Sequence, residues 1–412
     1  MSQMCNVLVA QSGGPTTVIN ASLAGVIAQA LKNETIDKVY GAVHGIQGVL
    51  NRNIVSLNEY FEEETLIERL KVTPSMFLGS CRYKLKDMEE DTTDYDTIFK
   101  VFEENQIRYF FYIGGNDSMD TVAKLSHYSQ KLNYQVSIIG VPKTIDNDLV
   151  EIDHTPGFGS AAKYIATSIR EMAHDTYIYD MQSVLIVEIM GRNAGWLTAS
   201  SVLARNDYSM APHLIYLPEK PFSTGKFIAD VKKELTNRKQ VIVAVSEGIR
   251  DIEGEYISKK SNQVDQFGHV MLSGTGKYLE SLVQNAIGCK VRSVELNVLQ
   301  RCASHISSKT DVEEAFTLGT EAVKAAVAGQ ARVMIALKRV SDSPYKVDYF
   351  TTDIDNVANH EKKVPDNYIN EEGNDVTKEM VNYLLPLVEG QTEHYYENGL
   401  PLLLSLKQLQ NQ

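Results

Sequence analysis

The chain has 412 residues, of which 43% are hydrophobic and 23% are charged, as is ordinary for a globular protein with a buried core. That length leaves room for two domains of ordinary size. The net charge of −13 argues against nucleic acid or an anionic membrane as a general partner. An anionic substrate would therefore need a local cluster of cations.

Two further features of the sequence concern the cellular location of the protein. No apolar run approaches the roughly 18 residues that a membrane-spanning helix requires, and residues 1–7 lack the apolar core of a signal peptide. The cysteines, Cys5, Cys81, Cys289 and Cys302, are widely scattered and form no CxxC pair. They are typical of reduced thiols, so we expect a cytoplasmic protein without a disulfide or zinc framework.

Strands and helices are predicted to alternate along most of the chain. The predicted strands are residues 6–10, 38–43, 109–113, 136–141, 184–189, 240–245, 290–296 and 332–337. The predicted helices are residues 17–31, 119–132, 195–204, 277–285 and 313–328. This order indicates parallel sheets joined by right-handed crossovers, and hence an α/β fold.

The division between domains is predicted near the turn Pro156-Gly157, since no low-complexity linker or internal repeat marks another boundary. The alternation is lost after Leu337. Residues 353–375 are polar and acidic, and residues 376–388 predict an amphipathic helix. This tail is interpreted either as a surface wrap or as an interface element.

A charged loop follows the predicted strand 136–141 and carries Lys143, Asp146 and Asp148. Open α/β sheets bind their ligands at the carboxyl ends of strands, where this loop is expected to lie. A lysine beside two aspartates suits phosphoryl chemistry. The cation meets phosphoryl oxygens, one carboxylate takes a proton, and the other helps to hold a metal ion. A polar loop with a structural salt bridge is the alternative.

Two glycine turns also follow predicted strands. Gly13 and Gly14 would let backbone N–H groups approach an anion, although glycine serves an ordinary tight turn equally well. In the second turn, Asn116 and Asp117 could bind or orient a hard cation such as Mg²⁺. Ser118 is either part of this site or only the N-cap of the helix that follows.

Arginines predict a second group of site residues. Arg192 lies in the turn after strand 184–189, where it could bind a phosphate or a sugar hydroxyl, or else lie solvated at the surface. Arg292 and Arg301 flank the predicted strand 290–296, and Glu247 ends strand 240–245. These side chains complete a pocket that suits a sugar phosphate.

Two nucleotide motifs are excluded by their context. The segment Gly274-Thr-Gly276-Lys277 lacks the glycine spacing of a Walker A loop and the Ser or Thr that follows its lysine. Residues 157–162 imitate a dinucleotide fingerprint, but the preceding residues 151–155 are too polar for the buried strand that this motif needs.

Taken together, these segments resemble the phosphofructokinase family over nearly the whole chain. The resemblance implies two Rossmann-like three-layer α/β/α domains with the active site in the cleft between them. It divides the chain into a phosphoryl-donor domain (1–157 plus about 301–350) and a fructose 6-phosphate domain with a C-terminal extension (158–300 plus about 351–412). The landmarks occur in the family's order: Gly13-Gly14, residues 114–118, 142–148, 156–160 and 188–192, Glu247 and Gln300-Arg301.

The resemblance further implies phosphoryl transfer to the 1-hydroxyl of fructose 6-phosphate with Mg²⁺, and Asp146 as the general base. It implies a homodimer or homotetramer, because Arg292 would reach the sugar phosphate of a neighbouring subunit. The other implied contacts are Thr144, Met190, Gly191, Arg192, Glu247 and Arg301 for the sugar phosphate, Gly13, Gly14, Arg82 and Ser118 for the donor, and Asn116 and Asp148 for the metal.

Asp117 and Lys143 indicate the phosphoryl donor, and both join Asp146 as candidate catalytic residues. In the family, ATP-using bacterial members typically carry glycine at both positions, whereas members that use inorganic diphosphate carry this aspartate and lysine. A carboxylate at Asp117 would repel a nucleotide α-phosphate. Two like charges about 4 Å apart cost on the order of 1 to 4 kcal/mol, enough to change donor preference about tenfold or more. The sequence therefore favours diphosphate over ATP.

The chain departs from the family pattern in places. Asn116 stands where the family usually has aspartate, and Asp148 is the candidate to replace the lost charge. Val298 and Ser183 replace a histidine and an arginine of ATP-using members, so the effector site of those members is not assumed for this chain.

An ATP-dependent phosphofructokinase is the alternative to a diphosphate-dependent enzyme. A non-catalytic sugar-phosphate sensor is a remote one, because a sensor needs no base at Asp146.

Overall fold

A computed structural model describes residues 5–258 and 274–410 of the chain. In chain order, the strands of this part are β1 (Cys5–Gln11), β2 (Ile36–Ala42), β3 (Ile54–Ser56), β4 (Ile107–Gly114), β5 (Ser137–Pro142), β6 (Ser183–Ile189), β7 (Leu214–Tyr216), β8 (Gln240–Ser246), β9 (Lys290–Glu295), β10 (Val333–Asp342), β11 (Tyr345–Asp353), β12 (Tyr396–Glu397) and β13 (Leu400–Pro401).

The α-helices of the same residues are α1 (Ile19–Leu31), α2 (Gly45–Leu50), α3 (Glu64–Lys71), α4 (Thr93–Glu104), α5 (Asn116–Lys131), α6 (Phe158–Tyr177), α7 (Trp196–Ser200), α8 (Thr224–Asn237), α9 (Thr275–Ile287), α10 (Lys309–Val327), α11 (Lys378–Leu384) and α12 (Leu406–Gln410). None of these helices is long and apolar enough to span a bilayer. The alternation of strands and helices along the described chain confirms the expected α/β fold.

Contacts divide the chain into two compact units. Unit 1 comprises Met1–Gly157, Arg301–Glu361 and Gly390–Gln412, and unit 2 comprises Phe158–Gln300 and Lys362–Glu389. The tail thus contributes to both units, whereas the sequence prediction placed all of 351–412 with the second domain.

Unit 1 is built on a seven-stranded sheet of order β11-β10-β5-β4-β1-β2-β3. The five inner strands are parallel, and the outermost strands β11 and β3 pair antiparallel with their neighbours. Strands β1, β4 and β5 are adjacent and consist of nearly continuous apolar runs, because helices cover both faces of such a sheet. Their carboxyl ends, where the predicted donor loops begin, therefore lie side by side.

Helices α1 and α10 pack very closely beside this sheet. A Cβ atom added to Gly25 of α1 would lie 2.0 Å from the carbonyl oxygen of Phe316, and one added to Gly319 of α10 would lie 2.1 Å from that of Ser22. Glycine at these two positions lets the backbones touch. The contact fixes α10, whose first turns carry polar side chains that hold the charged loop after β5.

Unit 2 contains a four-stranded parallel sheet of order β7-β8-β6-β9. The inner strands β6 and β8 are adjacent, so the turns that follow them meet at one edge of the sheet. Strand β9 is an edge strand, and none of its residues is fully buried. Its exposed position distinguishes it from the apolar inner strands.

The structure also contains elements that the sequence prediction missed. Residues 345–353 form β11, an antiparallel edge strand whose side chains alternate between half-buried and exposed. The sequence prediction ended at residue 337 because it relied on runs that are apolar throughout. Helix α6 begins directly after Gly157, at the segment that imitates a dinucleotide fingerprint. The predicted helix 376–388 is α11 followed by a short 3₁₀ turn, Leu385–Val388.

Candidate active site

Lys143 lies at the centre of the polar residues of unit 1. Its side chain is 3% exposed, and its Nζ donates a hydrogen bond to the carbonyl oxygen of Gly14 at 2.8 Å. Burial lowers the pKa of Lys143 to about 8, although the charges of Asp146, Asp148 and Asp117 act to raise it. The loops after β1, β4 and β5 thus meet around one buried cation.

The Gly13-Gly14 turn passes directly beneath two cations. Gly13 has a left-handed φ of +80°, and a Cβ atom added to it would lie 3.0 Å from Nζ of Lys143. A Cβ atom on Gly14 would lie 3.4 Å from a guanidinium nitrogen of Arg301. Ser80 donates a 2.7 Å hydrogen bond to the Gly13 carbonyl oxygen. Glycine is therefore needed at Gly13 for its left-handed conformation and for the close approach of Lys143, whereas a Cβ atom on Gly14 would meet only the end of the Arg301 side chain.

The loop that carries Asp146 is held by its own side chains. The Thr144 hydroxyl accepts a hydrogen bond from the Asp146 N–H at 3.1 Å. Asn147 is fully buried with φ 55°, and its side-chain oxygen accepts from the N–H of Thr155 at 3.0 Å. The Thr155 hydroxyl closes the loop by donating to the Thr144 carbonyl oxygen at 2.8 Å. These bonds fix the backbone while the Asp146 carboxylate remains half-buried.

His154 anchors the far end of this loop in a buried ionic cluster that the sequence did not reveal. One ring nitrogen lies 2.8 Å from a carboxylate oxygen of Asp153, and the other lies 2.6 Å from one of Glu314 on α10. Tyr345 donates to Glu314 at 2.6 Å, and Arg339 donates to Asp153 at 3.2 Å. Burial acts to lower the pKa of His154, but the two carboxylates outweigh it and raise that pKa to about 9.

The loop after β4 presents Asp117 and buries Ser118. Asp117 lies in the first turn of α5 with an exposed side chain. Ser118 is 3% exposed and packs over Gly114, where an added Cβ atom would lie 1.9 Å from its hydroxyl oxygen. Ser118, predicted to bind the donor, thus fills space beneath the loop. Arg82 lies two residues beyond Ser80, and its side chain is exposed.

Asn116, predicted as a metal ligand, is already bonded to the C-terminal tail. Its side-chain nitrogen donates to the His360 carbonyl oxygen at 2.8 Å, and its side-chain oxygen accepts from the Asn359 N–H at 2.9 Å. The amide therefore has a structural partner at each polar atom, and a metal would have to use the second lone pair of the oxygen.

In unit 2, the turn after β6 packs against the turn after β8. Gly191 has φ +132°, its N–H donates to the Glu247 carboxylate at 3.4 Å, and its carbonyl oxygen accepts from the Ser246 hydroxyl at 2.5 Å. A Cβ atom on Gly248 would lie 2.0 Å from the Arg192 carbonyl oxygen. The structure thus brings together the sugar-binding residues predicted from these two turns.

The side chains of this pair of turns are only partly engaged by the protein. The Met190 N–H donates to the Gln300 side-chain oxygen at 3.4 Å. The Nε of Arg192 is buried and makes no hydrogen bond to the part of the chain that the structure describes. A buried guanidinium nitrogen without a protein partner is suited to an anionic ligand.

Glu188, near the end of β6, is a further buried carboxylate of this region. It accepts a 2.6 Å hydrogen bond from the N–H of Gly276, in the first turn of α9. Burial raises the pKa of Glu188 to about 7, although this hydrogen bond acts to lower it. The neighbouring Thr275 hydroxyl donates to the Glu247 carbonyl oxygen at 3.1 Å. Glu188 therefore ties α9 to β6, and Thr275 ties α9 to the turn that carries Glu247.

Arg292 is the predicted sugar-binding residue of unit 2 that lies apart from the others. It is exposed on β9 and pairs in register with Leu185 of β6. Leu185 lies five residues before Met190, which directly follows β6. At about 3.3 Å per residue, that separation is roughly 16 Å along the sheet. Arg292 instead lines a surface cavity of about 350 Å³ together with Tyr179 and Met181.

No group of three or more His, Cys, Asp or Glu side chains is arranged to hold a metal ion within residues 5–258 and 274–410. The predicted ligand Asp148 lies among the charges around Lys143.

Comparisons with known proteins identify the family of the chain. Residues 6–326 match the phosphofructokinase family. The chain is 41% identical over 404 residues to the pyrophosphate--fructose 6-phosphate 1-phosphotransferase of Halomonas elongata, covering 97% of this chain and 96% of the relative. The enzyme of the same name from Xanthomonas campestris is 41% identical over 405 residues, covering 98% and 96%.

A solved structure shows the same similarity. The pyrophosphate-dependent phosphofructokinase from Nitrosospira multiformis superposes with a TM-score of 0.87 at 39% identity, and the match covers 97% of this chain and 95% of that one. The family match and the near full-length relatives confirm the resemblance drawn from the sequence motifs. The chain therefore belongs to the phosphofructokinase family.

Proposed function

We propose that the protein transfers a phosphoryl group reversibly from inorganic diphosphate to the 1-hydroxyl of fructose 6-phosphate, giving fructose 1,6-bisphosphate and phosphate. The observation that carries the proposal is the pairing of an exposed Asp117 with a buried Lys143 around the Gly13-Gly14 turn. The names of relatives about 41% identical over nearly the whole chain support it. In this proposal unit 1 binds the donor and unit 2 binds the sugar phosphate.

Asp146 is the general base in this reaction. It takes the proton of the sugar 1-hydroxyl as the oxygen attacks phosphorus, while the bond to the leaving phosphate breaks. Its backbone is fixed by Thr144, so little reorganisation is needed when the substrate binds. Lys143 and Arg301, on either side of the Gly13-Gly14 turn, stabilise the negative charge on the phosphoryl oxygens.

Asp117 selects the shorter donor. The start of α5 is favourable for an anion because its first N–H groups point outward. An exposed carboxylate in the same turn repels the α-phosphate of a nucleotide, whereas diphosphate ends before that position. A like-charge contact of about 4 Å costs on the order of 1 to 4 kcal/mol, which corresponds to a preference of about tenfold or more.

A divalent cation, Mg²⁺, is the proposed cofactor. Asp148 would supply the carboxylate oxygens that a hard cation prefers, and it lies in the field of Lys143. When bound, the cation would neutralise charge on the donor and orient its phosphoryl groups. Asn116 was expected to be a second ligand, but its amide is bonded to Asn359 and His360, so we assign the metal to carboxylates and substrate phosphates.

Arg192 and Glu247 hold the sugar phosphate in unit 2, together with the backbone of Met190 and Gly191. The guanidinium of Arg192, whose Nε has no hydrogen-bond partner among the described residues, binds the phosphate, and the Glu247 carboxylate accepts hydrogen bonds from sugar hydroxyls. Thr144 and Arg301, which the sequence also predicts as sugar contacts, belong to unit 1.

Arg292 acts on the sugar phosphate of a second copy, so the protein is a homodimer or a homotetramer. Within its own unit it lies roughly 16 Å along the sheet from Met190. Strand β9 is an open edge, and apolar side chains around it are exposed, among them Tyr179 (47%) and Met181 (44%). An exposed apolar patch beside the edge strand of a sheet is suited to contact with another protein surface.

The proposed location is the cytoplasm. None of the four cysteines forms a disulfide within the described residues. The net charge of −13 supports small anionic substrates, bound by local cations, over nucleic acid or a membrane surface.

The deciding experiment is a donor assay with fructose 6-phosphate and Mg²⁺, comparing diphosphate with ATP. We expect turnover with diphosphate and at least tenfold less with ATP. Strong turnover with ATP and none with diphosphate would reject the donor while keeping the family. Binding of fructose 6-phosphate without turnover with either donor would favour the sensor.

The Asp117→Gly variant sharpens this assay. Removing the carboxylate should raise the rate with ATP relative to diphosphate, because the repulsion of the α-phosphate is lost. Glu34→Gln is the control, since it removes an exposed carboxylate from the loop before β2, at the amino ends of the strands and away from the donor loops.

A further inference from the structure

The C-terminal tail runs along one face of helix α5. Residues 116, 120 and 127 of α5 are spaced so that their side chains share that face. Asn116 exchanges two hydrogen bonds with the backbone of Asn359 and His360, at 2.9 and 2.8 Å. One turn later, the Asn359 side chain donates to Asp120 at 3.0 Å. We refer to these three hydrogen bonds as the tail contact.

The tail segment that makes this contact is itself anchored in the core of unit 1. Ile354 and Val357 are fully buried in the main hydrophobic cluster. The N–H of Ile354 donates to the Arg332 carbonyl oxygen at 3.0 Å. Asp355 forms an ion pair of 3.1 Å with Arg332 and a hydrogen bond of 3.1 Å with His127, near the other end of α5. The tail is therefore a rigid support for the first turn of the helix.

The first turn of α5 needs such a support. Its N-cap is Gly115, which has no side chain to bond the exposed N–H groups of the helix. Helix ends open easily when no cap holds them. Asp117 is exposed, so the backbone of this turn determines where its carboxylate points. The tail contact is bonded to the residue directly before Asp117.

We propose that Asn116 and Asn359 are positioning residues that set donor selectivity by holding Asp117 through the tail contact. The inference rests on the proposed function and adds a device to it. A distant segment of the chain fixes the residue that distinguishes diphosphate from a nucleotide. With the contact broken, the first turn loosens and the carboxylate no longer occupies one position. Donor binding then weakens and ATP is excluded less well, while sugar binding in unit 2 is unaffected.

The test measures donor and sugar kinetics in two variants. Asn116→Ala removes the two hydrogen bonds to the tail backbone. Asn359→Gly keeps the left-handed backbone of this position, φ 64°, and its N–H, but removes the bond to Asp120. Losing such hydrogen bonds should raise the KM for diphosphate about five- to tenfold. The KM for fructose 6-phosphate should stay within about twofold of wild type, and the ATP-to-diphosphate rate ratio should rise.

A charge swap separates positioning from general damage. Asn359→Asp places a carboxylate against Asp120 and should raise the diphosphate KM. Adding Asp120→Asn restores a donor and an acceptor, and should return that KM to within about twofold of wild type. Asn356→Ala is the matched control, because this exposed asparagine belongs to the same tail segment but makes no hydrogen bond to Asn116 or Asp120 among the described residues.

Three results would overturn the inference: equal rises of donor and sugar KM, no rise in either, or a swap that fails to restore the donor KM. It would also fall if Asn116→Asp tightened Mg²⁺ binding while the Asn359 variants behaved like wild type, because Asn116 would then act as a metal ligand. If the wild type uses only ATP, the proposed function fails independently. The KM for ATP of the same variants then decides the positioning role.

Discussion

In unit 1 the proposed site residues are held by buried side chains, whereas in unit 2 they are held mainly by close backbone contacts. Lys143 bonds to Gly14, Asn147 bonds to Thr155, and His154 forms ion pairs beneath the same loop. In unit 2, the turn at Gly191 is fixed by its contacts with the turn at Glu247 and Gly248.

The difference extends to what each unit offers a ligand. Around Lys143, carboxylates and cations are already arranged before any substrate binds. In unit 2, the Nε of Arg192 has no hydrogen-bond partner among the described residues, and Arg292 lies roughly 16 Å along the sheet from Met190. We therefore expect changes in unit 1 to affect the chemical step and stability, and changes in unit 2 to affect sugar binding.

The largest effect is expected at Asp146. Asp146→Asn removes the proposed base without changing the size of the side chain, so kcat should fall by about 10² to 10⁴. Steady-state kinetics with diphosphate measure this loss. The dissociation constant of fructose 6-phosphate should change less than about threefold, and a variant that retains half of the wild-type kcat would exclude Asp146 as the base.

His154→Gln tests the buried support beneath the loop. It removes the cation between Asp153 and Glu314, while Asp153 keeps Arg339 and Glu314 keeps only the Tyr345 hydroxyl, so the free energy of unfolding should fall by on the order of 3 kcal/mol. The pKa of His154 is raised from 6.5 to about 9, so its stabilising charge is fully present below pH 6.5 and is lost as the pH rises through 9. The difference between wild type and variant should shrink over that range.

Hydrogen exchange of peptides from residues 144–157 measures this effect within unit 1. Peptides from β8 in unit 2 are the internal control and should exchange at the wild-type rate. An equal difference in stability at pH 6 and at pH 9.5 would contradict the assigned charge of His154.

The lowered pKa of Lys143 predicts opposite pH trends for activity and for stability. Its pKa is lowered to about 8, so kcat/KM for diphosphate should fall as the pH rises above 8 and the ammonium loses its proton. The unfolded chain keeps that proton up to about 10.5, so the contribution of Lys143 to stability should increase between pH 8 and 10.5.

Lys143→Met tests both trends. It should lower kcat/KM by on the order of 100-fold and remove the alkaline fall, because the charge that stabilises the phosphoryl oxygens is absent. A variant whose pH profile still bends near pH 8 would assign that titration to another group.

The smallest effect, about tenfold, is expected at Arg292. Arg292→Ala should raise the KM for fructose 6-phosphate by the loss of one charged hydrogen bond, with kcat nearly unchanged.

Mixing this variant with Asp146→Asn decides which subunit Arg292 serves. If it serves the neighbour, the mixed dimer regains one complete site, so at fructose 6-phosphate concentrations well below the KM its activity rises above that of either variant. If mixing restores nothing, Arg292 acts within its own chain or does not bind the sugar.

Much of the fold could be predicted from the sequence because the inner strands are apolar runs. The strands predicted at residues 6–10, 109–113 and 136–141 correspond to β1, β4 and β5, and the turns after them carry the expected glycines and charges. The edge strand β11 was missed because only one of its faces is covered, so its sequence alternates with polar residues.

The sequence by itself determined the strand-end loops and the family, since the order of glycine, aspartate and lysine landmarks depends only on chain position. It could not show that His154 meets Glu314, 160 residues away, or that Asn116 meets Asn359, 243 residues away. Nor could it show that Arg292 lies halfway along an edge strand, apart from the turn of Met190. The tertiary structure decides such pairings because burial and hydrogen bonding act between residues that only folding brings together.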